Sequence, residues 1–205
     1  MKNNTKYVIA LVGVLSLIIL GSLALSDSSQ DNTKLVNNEM PLYSKSSATI
    51  PALNHTELNN CSDTIVIGTV QEILPSKWNT ADGKRPSNTD DAFSPFCLIY
   101  TDVVISVDKY LKNPLSSKEV TVRVEGGTAG HDTLIADYEP TFQPGEKILL
   151  YLIKDFGPGT KNIDPEHFRV TGYKQGKFTL TNDGKAIGFD RESISQEELL
   201  STIKE

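Results

Sequence analysis

The chain holds 205 residues, with 20 basic and 26 acidic side chains and a formal net charge of −6. That balance disfavours nucleic acid, whose binding needs clustered Lys and Arg to displace counterions, and it disfavours adhesion to anionic lipid. The roughly 145 residues from Cys61 onward are ample for one core and too few for two ordinary domains.

Lys2 and Lys6 precede an apolar run over 7–25, and a polar stretch over 26–31 follows. A charged n-region, an apolar h-region and a small-residue exit make the layout of an export signal. The nineteen residues of the run stand between the length of a secretory h-region and that of a spanning helix. Ala24 and Ser26 put small residues at −3 and −1 for cleavage after Ser26; an uncleaved anchor with its basic end in the cytoplasm is the alternative. No Cys near the exit offers a lipid attachment point. Both readings divide the chain into a signal or anchor over 1–26, a flexible stalk over 27–60 and a folded domain over 61–205. The folded part is expected outside the cytoplasm, secreted or held on the outer face of the membrane.

The stalk assignment rests on a Ser-, Asn-, Thr- and Lys-rich composition without apolar period. Asn54-His55-Thr56 and Asn60-Cys61-Ser62 match the N-glycosylation pattern, a weak three-residue signal. Cys61 and Cys97 are the only cysteines, and an even count in an exported chain points to a disulfide. Two thiols acting as small hydrophobes are the alternative. If the strands expected over 64–74 and 98–111 are antiparallel neighbours, the two cysteines lie at opposite ends of the pair, too far apart for a bridge.

The segment 64–74 is β-branched and apolar and is ended by Pro75, which predicts a strand; Gly68 inside it predicts a bend or bulge. Residues 76–96 form a long loop containing Trp78. Over 98–111, Val103, Ile105 and Val107 alternate with Asp102, Ser106 and Asp108. Val120, Val122 and Val124 alternate in the same way with Thr121, Arg123 and Glu125, the pattern of half-buried strands with a polar outer face. A glycine-rich break follows at 126–131. Pro144-Gly145 predicts a type II turn, and 148–153 is apolar on both faces, as a central strand should be. Shorter strands are expected over 168–173, 177–181 and 185–189. The one helix expected in the domain is the last element, with Ser195 and Glu198 as a capping box and Leu199, Leu200 and Ile203 as its apolar stripe.

This order predicts an all-β domain: a small closed or partly open barrel of OB type with a short C-terminal helix. An immunoglobulin-like sandwich is the alternative, but Trp78 sits in a loop and the Cys…Trp…Cys core pattern is absent. The runs IVIGTV at 65–70, YTDV at 100–103 and VTVRVEGG at 120–127 carry a resemblance. So do Leu111-Lys112, Pro144-Gly145-Glu146 with Leu149-Leu150, and Gly176-Lys177-Phe178. Together they resemble a class of exported proteins similar to the OB-type barrel of tissue inhibitors of metalloproteinases and netrin-like modules. The resemblance covers about 61–189 and implies the fold. It does not imply protease inhibition, because the free N-terminal cysteine and the disulfide set of those inhibitors are missing.

Motifs for chemistry are sparse. The 126–131 loop lacks the Gly-Lys-Ser/Thr and the following helix of a phosphate cradle; it is read as a hairpin connection or as a backbone site for an anion or a partner strand. His131 with Asp132, Asp137 and Glu139 is the one set with ligand types for a metal-dependent hydrolase, without EF-hand or zinc spacing. No nucleophile elbow exists, and Cys97 lies between Phe96 and Leu98 with no basic neighbour. The expectation is therefore a non-enzymatic binding module without cofactor or metal. Trp78, Gly126, Gly127, Gly130 and His131 are its contact residues, and its partner is an envelope or extracellular protein or glycan. Trp78 folding back onto the barrel, a hydrolase centred on His131, and an envelope spacer without ligand are the competing readings.

Overall fold

The computed structural model describes residues 40–204 apart from Thr89 and Asp91. The expected signal or anchor lies outside the described residues, among which no helix is long and apolar enough to cross a membrane. In chain order the elements are β1 (Tyr43–Ser46), α1 (His55–Cys61), β2 (Thr64–Ile73), β3 (Lys77–Trp78), β4 (Ile99–Lys112) and β5 (Glu119–Glu125). Then come β6 (Gly127–Ala129), β7 (Asp132–Ala136), β8 (Lys147–Lys154), β9 (Phe168–Val170) and a 3-10 turn (Tyr173–Gly176). β10 (Lys177–Leu180), β11 (Lys185–Ile187), β12 (Ser193–Ser195) and α2 (Gln196–Ser201) complete the chain.

Five strands close into a barrel. β2 pairs β4, β4 pairs β5, β5 pairs β9, β9 pairs β8, and β8 returns to β2. Within the barrel only the β5–β9 contact, Val122 opposite Phe168, is parallel. Numbered around the ring the order is 1-2-3-5-4 and back to 1, the arrangement of an OB barrel. β8 also pairs β10, which leads through β11 to β12. β1, β7 and β6 form a separate small sheet.

Period-two patterning produces two apolar layers on the same strands. Val66, Val70, Val103, Ile105, Val122, Leu150, Leu152 and Phe168 point into the barrel. Their neighbours Ile65, Leu149 and Tyr151 point outward, against Leu58 of α1, Phe178 of β10 and Leu199 of α2. The expected two-sided strand 148–153 is thus β8, buried on both faces. Register shifts in the β2–β4 ladder, one of them between Ile67 and Gly68, supply the bulge expected at Gly68; bulges bend a strand as ring closure requires. The Pro144-Gly145 turn forms, with the Glu146 N–H donating to Gln143 O at 3.0 Å.

Several expectations need correction. The stalk 27–60 is folded from Met40 onward. β1 pairs in parallel with β7, and α1 buries Leu58 in the outer core. β1 is held by backbone bonds and α1 commits one apolar residue, so neither leaves a period in the sequence. α1 begins on a complete capping box: the Asn54 side chain accepts the Glu57 N–H at 2.9 Å, and Glu57 accepts the Asn54 N–H at 2.8 Å. In α2, Ser195 Oγ accepts the Glu198 N–H at 3.1 Å; Leu199 is buried, Ile203 packs beside it and Leu200 faces solvent. The strand expected over 168–173 stops at Val170, where Gly172 turns the chain into the 3-10 turn. Of the two readings left open for Cys61 and Cys97, a bridge or separate thiols, the structure has no disulfide between them. β2 and β4 are antiparallel neighbours, so the cysteines stand at opposite ends of the pair.

Candidate functional site

One flank of the barrel carries a lobe built from the 74–98 loop with β3, the β6–β7 hairpin and the 155–167 segment. A small core of Trp78, Leu98, Ile99, Tyr100 and Leu134, with Phe93 and Ile163 beside it, binds these pieces together. Trp78 is 1% exposed and stacks on Phe93 at 5.1 Å between ring centroids. Its Nε1 donates to Asp132 Oδ2 at 3.2 Å, and Asp132 also accepts the Leu42 N–H and the Arg85 guanidinium. Trp78 is therefore a framework residue and not the surface anchor expected from its loop position.

Beneath the lobe lie charges that the strand patterns assigned to solvent. Arg123 of β5 holds Asp102 of β4 by two hydrogen bonds of 2.7 and 2.8 Å, with both residues buried. Its remaining Nη1 donates to Thr160 O at 3.2 Å and Ile163 O at 2.9 Å, and its guanidinium lies 4.0 Å from the Tyr100 ring centroid. Asn79 links the loops in the same way. Its Nδ2 donates to Phe96 O at 2.9 Å and Gly159 O at 2.8 Å, and its Oδ1 accepts the Leu98 N–H at 2.9 Å. The 74–98 loop and the 155–167 segment are thereby one pinned surface.

A second network runs beside it. Arg169 Nη2 donates to Glu125 Oε1 at 2.9 Å and Glu139 Oε1 at 2.7 Å, and the Tyr138 hydroxyl donates to Glu125 Oε2 at 2.6 Å. Burial pushes the Glu139 carboxyl up to about 7; Arg169 opposes this and the charge of Glu125 adds to it. Asp155 Oδ2 faces His167 Nε2 at 2.8 Å, while His167 Nδ1 faces Pro165 O at 2.7 Å. Burial pushes Asp155 up too. Hydrogen bonds from His167, Thr160 and the Gly157 N–H, with the Arg169 charge, outweigh it and hold the carboxyl at about 2.

The glycine-rich loop is a hairpin. Gly126 and Gly127 line a largely apolar groove of about 410 Å³, together with Ile73, Leu134, Ile135 and Phe142. At Gly127, with φ of 125°, a Cβ would strike Ser76 Oγ and stand 2.5 Å from Thr101 Oγ1, so only glycine fits there. Gly130 and His131 sit at the exposed hairpin tip, outside the groove. The hydrolase set does not converge. His131 is at the tip, Asp132 is tied to Trp78, Asp137 accepts the Ser47 hydroxyl and Glu139 lies on Arg169. Among the described residues no three His, Cys, Asp or Glu side chains are grouped to hold a metal.

Of the glycosylation candidates, Asn54 spends its side chain on the α1 cap. Asn60 is exposed, but the Ser62 hydroxyl of its motif is buried, donating to Leu58 O at 2.7 Å. Sequence reasoning missed Asn79, Asp102, Arg123, Asp155, His167 and Arg169. It also missed Phe96 and Phe156, which the pinned loops expose by 73% and 62%. The one available signal was register: in the β4–β5 ladder Asp102 stands opposite Arg123.

The fold is thus an all-β OB-like barrel whose flanking loops are held by Asn79 and by the buried Arg123 of the Arg123–Asp102 pair. No family model matches the chain, and no curated protein or solved structure matches it either.

Proposed function

We propose that the chain is an extracytoplasmic binding module, built like the netrin-like barrels to which its strand motifs are similar, and that the pinned lobe is its contact surface. The observation that carries this reading is the contrast between rigid backbone and exposed apolar side chains. Asn79 and Arg123 fix the two loops from below, while Phe96 and Phe156 project into solvent. Exposed phenyl rings on pre-organised loops lose little entropy on binding and suit a protein surface or the apolar face of a glycan. The groove beside Gly126 and Gly127 extends the same lobe. The framework role of Asp132 and Glu139 leaves the hydrolase reading without its centre, and the spacer reading does not account for loops this firmly held.

The test is cross-linked capture from the native envelope with the full chain and with a Phe96→Ser/Phe156→Ser variant. A partner enriched by the parent and lost by the variant, at unchanged melting temperature, is the expected result. Equal capture by both chains would reject this surface. Protease accessibility in intact cells tests the location outside the cytoplasm.

A further inference from the structure

A second surface, away from the residues of the lobe, joins an apolar floor to unneutralised acids. Leu53, Leu58, Phe178 and Ile194 line the bottom of a groove of about 360 Å³ between the start of α1, β10, β12 and the first turn of α2, where Leu58 and Phe178 are almost wholly buried and His55 stands edge-on to Phe178. Leu58 and Phe178 belong to the outer core, so the floor is fixed by the fold itself. Asp190, Glu192 and Glu198 stand on the rim. No Lys or Arg lines this groove; Arg191, between two of the acids, is not part of its lining.

The three carboxylates have little internal employment. Asp190 Oδ1 accepts the Glu192 N–H at 3.0 Å. Glu198 donates its backbone N–H to the Ser195 cap. Among the described residues none of the three forms an ion pair. The wall residue Phe189, 51% exposed, already attracts one cation: in the hollow on its other side Lys174 Nζ sits 5.5 Å from its ring centroid.

We infer that this groove docks a basic, apolar peptide segment of a partner protein. An Arg or Lys head is held by Asp190, Glu192 and Glu198, and its alkyl stem and an adjacent apolar side chain lie on Phe189 and Ile194. Charge complementarity selects a cationic occupant, and the apolar floor selects one whose charge is carried on a long hydrocarbon stem. The inference does not depend on the Phe96–Phe156 surface and uses none of its residues.

The experiment is fluorescence anisotropy on the full chain with a labelled hexapeptide of alternating Arg and Leu, and with a Glu/Leu hexapeptide as control. Saturable, salt-sensitive binding of the basic peptide alone is expected. Asp190→Asn/Glu192→Gln/Glu198→Gln should weaken it roughly tenfold or more. Phe189→Ser should weaken it at unchanged salt slope. Phe96→Ser/Phe156→Ser should leave it intact, which separates this inference from the proposed function. Glu72→Gln/Glu119→Gln, which removes exposed charge elsewhere, should also leave it intact. No preference for the basic peptide, retention in the triple variant, or equal loss in the Glu72/Glu119 variant would overturn the assignment.

Discussion

Arg123 and Asp102 face each other across the β4–β5 ladder with two hydrogen bonds, and the pair is almost wholly buried beneath the 155–167 segment. The remaining guanidinium nitrogen reaches two carbonyls of that segment, so one side chain joins the barrel wall to the loop above it. Removing one member leaves a charge in a dry site. Arg123→Leu is expected to destabilise the fold by about 3–5 kcal/mol in urea unfolding. The double variant Asp102→Leu/Arg123→Leu should lose less than the two single changes summed, and limited proteolysis should then cut first within 155–163.

Trp78 is the chain's only tryptophan, and it is buried against Phe93 and Asp132. Its emission should be blue-shifted in the folded protein, resist acrylamide quenching and move to the red on unfolding. Trp78→Ala should cost about 3–5 kcal/mol. Trp78→Phe should cost less, chiefly through the lost bond to Asp132, and an unchanged melting temperature for Trp78→Ala would contradict the framework role.

Glu139 makes stability fall toward neutral pH. Its folded value is about 7 against an ordinary 4.5, so the folded chain binds this proton more tightly than the unfolded chain. The contribution is fully present below about 4.5 and is lost as pH rises through about 7. A Glu139→Gln variant should show a shallower decline in melting temperature across that window than the parent does.

Asp155 acts in the opposite sense. Held at about 2 against an ordinary 3.8, it contributes stability that is present above 3.8 and lost as pH falls through 2. Asp155→Asn should therefore weaken the protein at pH 6 and narrow its difference from the parent near pH 2, as read by acid titration of the Trp78 emission.

Gly127 and Gly130 separate structural need from turn convenience. Both have positive φ, but a Cβ at Gly127 meets Ser76 and Thr101, whereas at Gly130 it meets nothing within 4 Å. Gly130→Ala should cost only the left-handed backbone penalty of about 1–2 kcal/mol. Gly127→Ala should cost more and detach β6 from the loop, which amide exchange of the hairpin would register.

The barrel was legible because the β-branched apolar run 64–74 and the alternation on 98–111 and 120–124 mark strands whatever their partners, and 148–153, apolar on both faces, marks a strand covered twice. The candidate site was far less legible. Trp78 lies in a loop, which marks it as a surface anchor, yet that loop folds over the barrel and buries it. Asp102 and Arg123 carry the signature of a solvent face, and that face becomes interior only when a segment distant in the chain covers it. Asn79, Phe96 and Phe156 carry no local pattern.

From its sequence alone this chain is determined to be acidic, mostly β and furnished with an apolar N-terminal run, because these are properties of composition and of neighbours one or two residues apart. Tertiary structure alone decided that the barrel closes through a parallel β5–β9 contact and that the stretch from Met40 belongs to the folded unit. It also decided that the polar flank of β4 and β5 is a buried ion network and that two phenyl rings stand exposed above it. Each of those outcomes depends on which distant segment covers which face, and burial is settled by that covering.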